Sequence, residues 1–263
     1  MAEALAAWAG LHVENARLYT ERSTIASTLQ EGLLPAALPE LPGVDLAVRY
    51  RPVGDENRVG GDVYDVYPVG ERCFTAVIGD VSGKGADAAA LTALARHTLY
   101  AGALRGGDGR ENLALLNEAL LRRTDGARFC TAVVLDAEPD GDGLAVRIAD
   151  GGHPAPLVLR AGGGVEETAG GGMLIGAVER PALHTEEVRL GPGDLLVAYT
   201  DGAVELRGDD PAAGDRLLRE QLAALAGAPA ATVTAELEAA VVDASGGEPQ
   251  DDVALLAVGP ARG

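Results

Sequence analysis

The most informative segment of the chain is FTAVIGDVSGKG, residues Phe74–Gly85. Its first six residues form an apolar run typical of a buried strand, and the carboxylate of Asp80 ends that run. The glycines that follow indicate a sharp turn from a strand into a helix, in which the backbone can approach a metal or a phosphate closely. The segment is not a nucleotide-binding P-loop, because only three residues separate its first two glycines and Gly85, rather than Ser or Thr, follows Lys84.

Outward from this segment, strand and helix patterns are grouped rather than alternating one for one. Apolar residues recur at every second position from Val44 to Tyr50, which is the period of a half-buried strand. The grouping favours antiparallel sheets with helices packed outside, an α+β fold, over a doubly wound parallel sheet. Further strands are predicted at Asp62–Tyr67, Cys73–Val81, Cys130–Asp136, Leu144–Ala149, Leu157–Arg160, His184–Leu190, Leu195–Thr200 and Val253–Val258. Helices are predicted at Ala86–Ala103, Glu111–Arg122, Arg216–Ala226 and Thr232–Asp243.

Acidic residues occupy the ends of four predicted buried strands, Asp80 being one of them. The others are Asp62 after Gly60-Gly61, Asp201 after Leu195–Thr200, and Asp251-Asp252 before Val253–Leu256. Each position alone has a plain interpretation, because Asp beside Gly is a common turn residue. If the fold brings these carboxylates together, they lose hydration and repel one another, and a bound cation would remove both penalties.

A site made of carboxylates would select hard cations, Mg2+ or Mn2+, over zinc or copper. The four histidines show no HxxxH or HxxH spacing, which argues against a zinc site. Two hard cations could hold and acidify a water and neutralise a phosphoryl oxygen, so that hydroxide attacks phosphorus in line. The hypothesis is a hydrolase in which metal-bound carboxylates, and no protein nucleophile, carry the catalysis.

The composition is that of a globular protein and limits its partners. The chain has 263 residues, 47% of them hydrophobic and 23% charged, enough for one substantial core. A net charge of −19 argues against nonspecific nucleic-acid binding. No apolar run approaches the roughly 20 residues of a membrane helix and no signal peptide is evident, so we expect a cytoplasmic protein without a membrane partner. Cys73 and Cys130 lack a CxxC partner, which favours buried reduced thiols.

Residues 1–34 form a separate unit in the sequence. Apolar residues recur at three- and four-residue steps from Leu5 to Leu29, which predicts a long amphipathic helix. The Pro-rich stretch Pro35–Pro42 ends it. Such a helix either links or dimerises the chain, or packs on its own domain, and the pattern leaves both open. The predicted domains are therefore residues 1–34 and residues 35–263.

Five short motifs, taken together, carry a family resemblance. They are VGGDVYD (Val59–Asp65), GDVSGKG (Gly79–Gly85), GHPAP (Gly152–Pro156), YTDG (Tyr199–Gly202) and DDVA (Asp251–Ala254). In this order they resemble the PPM (type-2C) metal-dependent serine/threonine protein phosphatases of the SpoIIE/RsbU branch, over about residues 24–258. The resemblance implies an αββα sandwich, two antiparallel sheets flanked by helices, with two Mg2+ or Mn2+ ions in a cleft at one end.

The same resemblance implies a role for each acidic residue. Asp80 is expected to bridge both metals, and the backbone carbonyl of Val81 to be a further ligand. Asp62 is expected to hold the metals partly through water. Asp201 is expected to bind the second metal together with one of Asp251 or Asp252, of which Asp251 is favoured.

Two other residues have weaker counterparts in the family. Eukaryotic relatives grip phosphate with an arginine upstream of the first Asp. Arg58 lies near that place at a different offset, and we interpret it as a surface arginine. His153, in the Gly-His-Pro turn, is a family feature that we interpret as structural rather than as a general acid.

The resemblance also implies partners. Ala6–Tyr19 resembles the last helix of a GAF-type sensor domain, which implies an upstream sensor in a longer chain and a homodimer through the N-terminal helix. The implied substrate is a STAS-domain anti-anti-sigma factor phosphorylated on Ser or Thr, in a partner-switching pathway. The alternative is a noncatalytic signalling module that keeps the fold and binds the same partner. A third hypothesis is an acidic metal-buffering protein with many weak sites.

Overall fold

Two five-stranded antiparallel sheets pack face to face at the centre of this computed structural model. One sheet, here sheet A, has the strand order β1-β10-β9-β6-β7, and the other, sheet B, has the order β2-β3-β4-β5-β8. The strands are β1 (Val44–Arg51), β2 (Asp62–Pro68), β3 (Phe74–Val81), β4 (Cys130–Asp140), β5 (Gly143–Gly151), β6 (Leu157–Leu159), β7 (Val165–Glu167), β8 (His184–Leu190), β9 (Leu195–Tyr199) and β10 (Val253–Pro260).

The structure describes residues 37–53, 60–124, 128–206 and 210–261, together with His12, Pro35 and Gly208. Three predictions fall on other parts of the chain. The amphipathic helix of residues 1–34, the GAF-like segment within it, and Arg58 lie outside the described residues, apart from His12.

Four helices of the described part cover the outer faces of the two sheets. Helices α1 (Ala86–Leu104) and α2 (Gly109–Thr124) pack on sheet B, and helices α3 (Ala213–Ala224) and α4 (Ala230–Ala244) pack on sheet A. The layers therefore run helix, sheet, sheet, helix, and the predicted αββα sandwich with antiparallel sheets is confirmed. None of these helices is both long and apolar enough to cross a membrane.

The apolar run of β3 follows from its position inside the sandwich. Phe74 and Ile78 point into the layer between the sheets, whereas Val77 and Val81 point to the helices α1 and α2. Because successive side chains of a strand face opposite sides, a strand covered on both faces has apolar residues at nearly every position. Burying each large side chain contributes about 1.5 to 3 kcal/mol, so β3 is a central element of the core.

The boundaries of the predicted elements differ from the observed ones by a few residues. Helix α2 begins at Gly109 rather than Glu111, because Asp108 and Glu111 form a capping box. The Asp108 carboxylate accepts the Glu111 N–H at 2.9 Å, and the Glu111 carboxylate accepts the Asp108 N–H at 3.3 Å. The short strand β7 was not predicted, because only one of its three residues is even half-buried. Both cysteines are free thiols, Cys130 buried and Cys73 half-buried.

Candidate metal centre

Two of the predicted aspartates face each other across neighbouring strands of sheet B. Asp62 at the start of β2 is the register partner of Asp80 near the end of β3. Directly opposite residues of an antiparallel pair point to the same face, here the layer between the two sheets. Asp62 is only 5% exposed, and the Thr200 hydroxyl donates a 2.9 Å hydrogen bond to its Oδ2 atom.

Glycines allow the backbone to close around this pair. A Cβ atom at Gly61 would lie 2.2 Å from the Val81 carbonyl oxygen and 2.3 Å from Asp80 Oδ1, so both oxygens converge on one point. A Cβ atom at Gly60 would lie 1.4 Å from Asp252 Oδ2. No other residue fits at these two positions without displacing a carboxylate or a backbone carbonyl, which explains the Gly60-Gly61 pair before Asp62.

Sheet A brings the remaining aspartates to the same end of the sandwich. Asp201 follows β9 and opens a short 3₁₀ turn, and Asp251-Asp252 precedes β10, the neighbour of β9. Antiparallel neighbours place the end of one strand beside the start of the next. The predicted aspartates are therefore gathered from both sheets, and the plain interpretation as separate turn residues does not account for that gathering.

The two consecutive aspartates have different surroundings. Asp252 is 4% exposed, and its carboxylate accepts hydrogen bonds from the Tyr50 hydroxyl at 3.1 Å and from the Val53 N–H at 2.7 Å. Asp251 has a 42% exposed side chain, whose Oδ1 atom lies 2.9 Å from Lys84 Nζ. The Asp252 carboxylate is thus engaged by internal donors, whereas the Asp251 side chain is exposed to solvent.

The gathering of negative charge alters the acidity of these groups. Burial first, and then the charges of Asp201, Asp251 and Asp252, raise the pKa of Asp80 to about 7, although Lys84 opposes the shift. The pKa of Asp62 is also raised well above its ordinary range, by burial first and then by Asp80 and the aspartates of sheet A. The same two causes raise the pKa values of Asp201 and Asp252. The negative charge of each carboxylate is therefore poorly balanced by the groups of the protein itself.

The donor set fits hard divalent cations. No three His, Cys, Asp or Glu side chains in the described ranges form a closed ligand cluster, so the ligand set stays a prediction. What fits is the chemistry: carboxylates that repel one another, with the Val81 carbonyl beside Asp80, form the oxygen environment that Mg2+ and Mn2+ prefer.

His153 lies beside this centre and not in it. Its Nδ1 atom is 2.9 Å from the Thr131 hydroxyl, and its backbone N–H donates to Asp150 Oδ1 at 2.9 Å. Thr131 is the register partner of Asp80 on β4. Burial lowers the pKa of His153 to about 3, which disfavours the imidazolium form that a general acid would need at physiological pH.

Two polar residues of the centre were not predicted. Thr200 accepts the Ala254 N–H at 2.9 Å and donates to Asp62, so its hydroxyl joins sheet A to sheet B. Lys84 reaches from the loop after β3 to Asp251 before β10. The available signal was their position, since Thr200 directly precedes Asp201 and Lys84 lies in the glycine-rich loop after Asp80.

Several solved structures share this fold, and two of them are named as PP2C domains of bacterial proteins. The RsbU and RsbW domains of Rv1364c from Mycobacterium tuberculosis superpose with a TM-score of 0.76 at 24% identity, covering 88% of this chain and 63% of theirs. The SiaA-PP2C domain of Pseudomonas aeruginosa gives a TM-score of 0.72 at 22% identity, covering 93% of this chain and 97% of that one. The PP2C phosphatase domain of SpoIIE from Bacillus subtilis, with a fragment of its regulatory domain, gives 0.69 at 21% identity, covering 84% and 64%.

Sequence comparison finds a relative of this chain and assigns the chain to a family. Protein IcfG of Synechocystis sp. (strain ATCC 27184 / PCC 6803 / Kazusa) is 24% identical over an alignment of 206 residues, and the match covers 68% of this chain and 32% of that protein. The chain thus matches about a third of the length of this curated relative. Residues 70–260 match the family described as Stage II sporulation protein E (SpoIIE). Because these residues make up most of the chain, the protein belongs to the SpoIIE family.

Proposed function

We propose that this protein is a metal-dependent phosphoprotein phosphatase that hydrolyses phosphoserine or phosphothreonine. The observation that carries the proposal is the gathering of Asp62, Asp80, Asp201 and Asp251 from two sheets at one end of the sandwich. Membership of the SpoIIE family and the fold shared with PP2C phosphatase domains support it.

The residues that would hold two Mg2+ or Mn2+ ions are Asp80, the Val81 carbonyl, Asp201 and Asp251, with Asp62 behind them. Asp251 is preferred to Asp252 because the Asp252 carboxylate is engaged by Tyr50 and Val53. Bound divalent cations would supply Lewis acidity for a water and charge neutralisation for the phosphoryl oxygens. In this role Thr200 orients the Asp62 carboxylate, and Gly61 leaves the Val81 carbonyl accessible beside Asp80.

The first test is the hydrolysis of p-nitrophenyl phosphate with and without Mn2+. We expect activity that disappears in a chelator and falls by about a hundredfold or more in Asp80→Asn and Asp251→Asn, since catalysis here is electrostatic. Asp142→Asn, an exposed change in the turn between β4 and β5, is the matched control and should keep full activity. Activity that survives in the chelator or in Asp80→Asn would exclude the two-metal mechanism.

We further propose that the substrate is a phosphorylated STAS-domain anti-anti-sigma factor in a cytoplasmic partner-switching pathway. An upstream sensor domain would control the phosphatase, and the protein would dimerise through its N-terminal helix. The family resemblance supports these partners, and the solved structures in the comparison include RsbU, RsbW and SpoIIE domains. Asp80→Asn should retain a phosphorylated partner in a pull-down that the active protein releases. The alternative, a noncatalytic binding module, predicts that both forms retain it equally.

A further inference from the structure

Lys84 is the only lysine of the chain, since the other 20 of its 21 basic residues are arginines. It lies in the loop between β3 and α1, and its Nζ atom is 2.9 Å from Asp251 Oδ1. Because β3 belongs to sheet B and Asp251 precedes β10 of sheet A, this ion pair links the two sheets.

The loop that carries Lys84 is fixed to the start of β4. The Ser82 N–H donates to the Phe129 carbonyl at 2.9 Å, and the Ser82 hydroxyl accepts the Phe129 N–H at 3.0 Å. The Arg128 guanidinium donates to the Ser82 carbonyl at 3.0 Å. Gly83, with a φ of 104°, then turns the backbone as only glycine does readily. The backbone at Lys84 is therefore held in place, while its side chain is 47% exposed and has the flexible stem of every lysine.

The charge of the site creates a problem for a phosphate ester. Two divalent cations would not neutralise five ionised aspartates, Asp62, Asp80, Asp201, Asp251 and Asp252, and the incoming phosphate carries further negative charge. Among the described residues, Lys84 is the base whose charge lowers the pKa values of Asp80, Asp201 and Asp252. Arg128 is directed elsewhere, to the Ser82 carbonyl and towards Asp87 at 3.8 Å.

We propose that Lys84 is the phosphate-binding residue of this site, whose ammonium group exchanges Asp251 for the phosphoryl oxygens of the substrate. This inference rests on the proposed phosphatase function. An ammonium group suits the exchange because it acts as a compact point charge on a flexible stem, whereas a guanidinium would form a bidentate pair with Asp251 and hold it. Without substrate, Lys84 therefore pairs with Asp251, and when the substrate is bound it pairs with the phosphoryl oxygens.

A single lysine allows a direct test. Reductive methylation with 13C-formaldehyde keeps the positive charge and labels Lys84 and the N-terminal amine, and Lys84→Arg identifies the Lys84 signal by its loss. The Mg2+-loaded protein is then titrated with inorganic phosphate, and with sodium chloride at matched ionic strength as the control. We expect a saturable change in the Lys84 signal with phosphate only.

The companion experiment measures phosphate binding by calorimetry on the Mg2+-loaded protein. Lys84→Met should bind inorganic phosphate roughly tenfold more weakly than the unmodified chain, the loss expected for one charge-assisted hydrogen bond. Its Mg2+ affinity should stay the same or increase, because the competing partner of Asp251 is gone. Circular dichroism checks that the variant is folded.

The outcomes separate the two proposals. Suppose that the unmodified protein hydrolyses p-nitrophenyl phosphate, that phosphate does not change the Lys84 signal, and that Lys84→Met binds phosphate with unchanged affinity. Lys84 is then only a counterion of Asp251, and the inference is wrong. If the unmodified protein neither hydrolyses the ester nor binds phosphate with Mg2+ or Mn2+, the phosphatase proposal fails and this inference fails with it.

Discussion

Replacing Asp80 by asparagine should stabilise the cation-free protein while removing its activity. The folded protein raises the pKa of Asp80 from its ordinary value of 3.8 to about 7, because the carboxylate is buried among other aspartates. At about 1.36 kcal/mol per pH unit, this difference corresponds to a penalty of up to about 4 kcal/mol for keeping Asp80 ionised in the folded state. Access of water to this partly exposed group reduces the expected gain to about 2 kcal/mol.

The gain has a defined pH dependence. A carboxyl group whose pKa is raised by folding contributes stability as the neutral form, and that contribution is lost as the pH rises from about 4 to about 7. Asparagine cannot ionise. The stability difference between Asp80→Asn and the unmodified protein should therefore be largest at pH 8 and close to zero at pH 4.

The assay is urea denaturation in chelator at pH 4, 6 and 8, followed by circular dichroism. Asp142→Asn is the control, because this exposed turn residue should change stability by no more than about 0.5 kcal/mol. Saturating Mg2+, at about 100 times its Kd, should stabilise the unmodified protein by about 2.7 kcal/mol for each ion bound and Asp80→Asn by much less. If Asp80→Asn is less stable than the unmodified protein at pH 8 in chelator, the electrostatic account of this site is wrong.

Two further substitutions test the parts of the centre that are not aspartates. Thr200→Val should lower the free energy of unfolding by about 1 to 3 kcal/mol, because it removes the hydroxyl that bonds to Asp62 and to the Ala254 N–H of the neighbouring strand. Thr200→Ser keeps a hydroxyl and should retain most of this free energy in the same urea titration. Gly61→Ala should weaken Mg2+ binding measured by calorimetry, since its Cβ would lie 2.2 Å from the Val81 carbonyl oxygen. Gly162→Ala, where a Cβ meets nothing within 4 Å, should bind Mg2+ normally, and equal binding by both alanine variants would contradict the proposed ligand role of Val81.

The periodicity of the sequence predicted most of the strands, because nearly every long strand has a buried face, whereas the sandwich itself was implied by the family resemblance. β3, β9 and β10 are buried along almost their whole length, and their apolar runs were recognised. Strands that bury few side chains, such as β7, show no apolar pattern in the sequence and were not predicted. Helix ends depend on capping groups such as Asp108, which periodicity does not register.

The choice between Asp251 and Asp252 shows where the sequence stops being informative. Asp252 has the parity of Ala254 and Leu256, which face the layer between the sheets, and so its carboxylate points inward to Tyr50. Asp251 lies one residue earlier, and its exposed side chain pairs with Lys84. The identical residue types carry no information about this difference, which depends on where β1 and β10 pair.

The sequence alone determined that buried strands end in carboxylates and that any cation they hold must be a hard one, because strand burial and ligand chemistry are local properties of the residues. Only the tertiary structure decided which of these groups meet. The Thr200 hydroxyl reaches Asp62 across 138 positions of the chain, and Lys84 reaches Asp251 across 167. Contacts between residues so far apart depend on the packing of two complete sheets, and no local pattern encodes them.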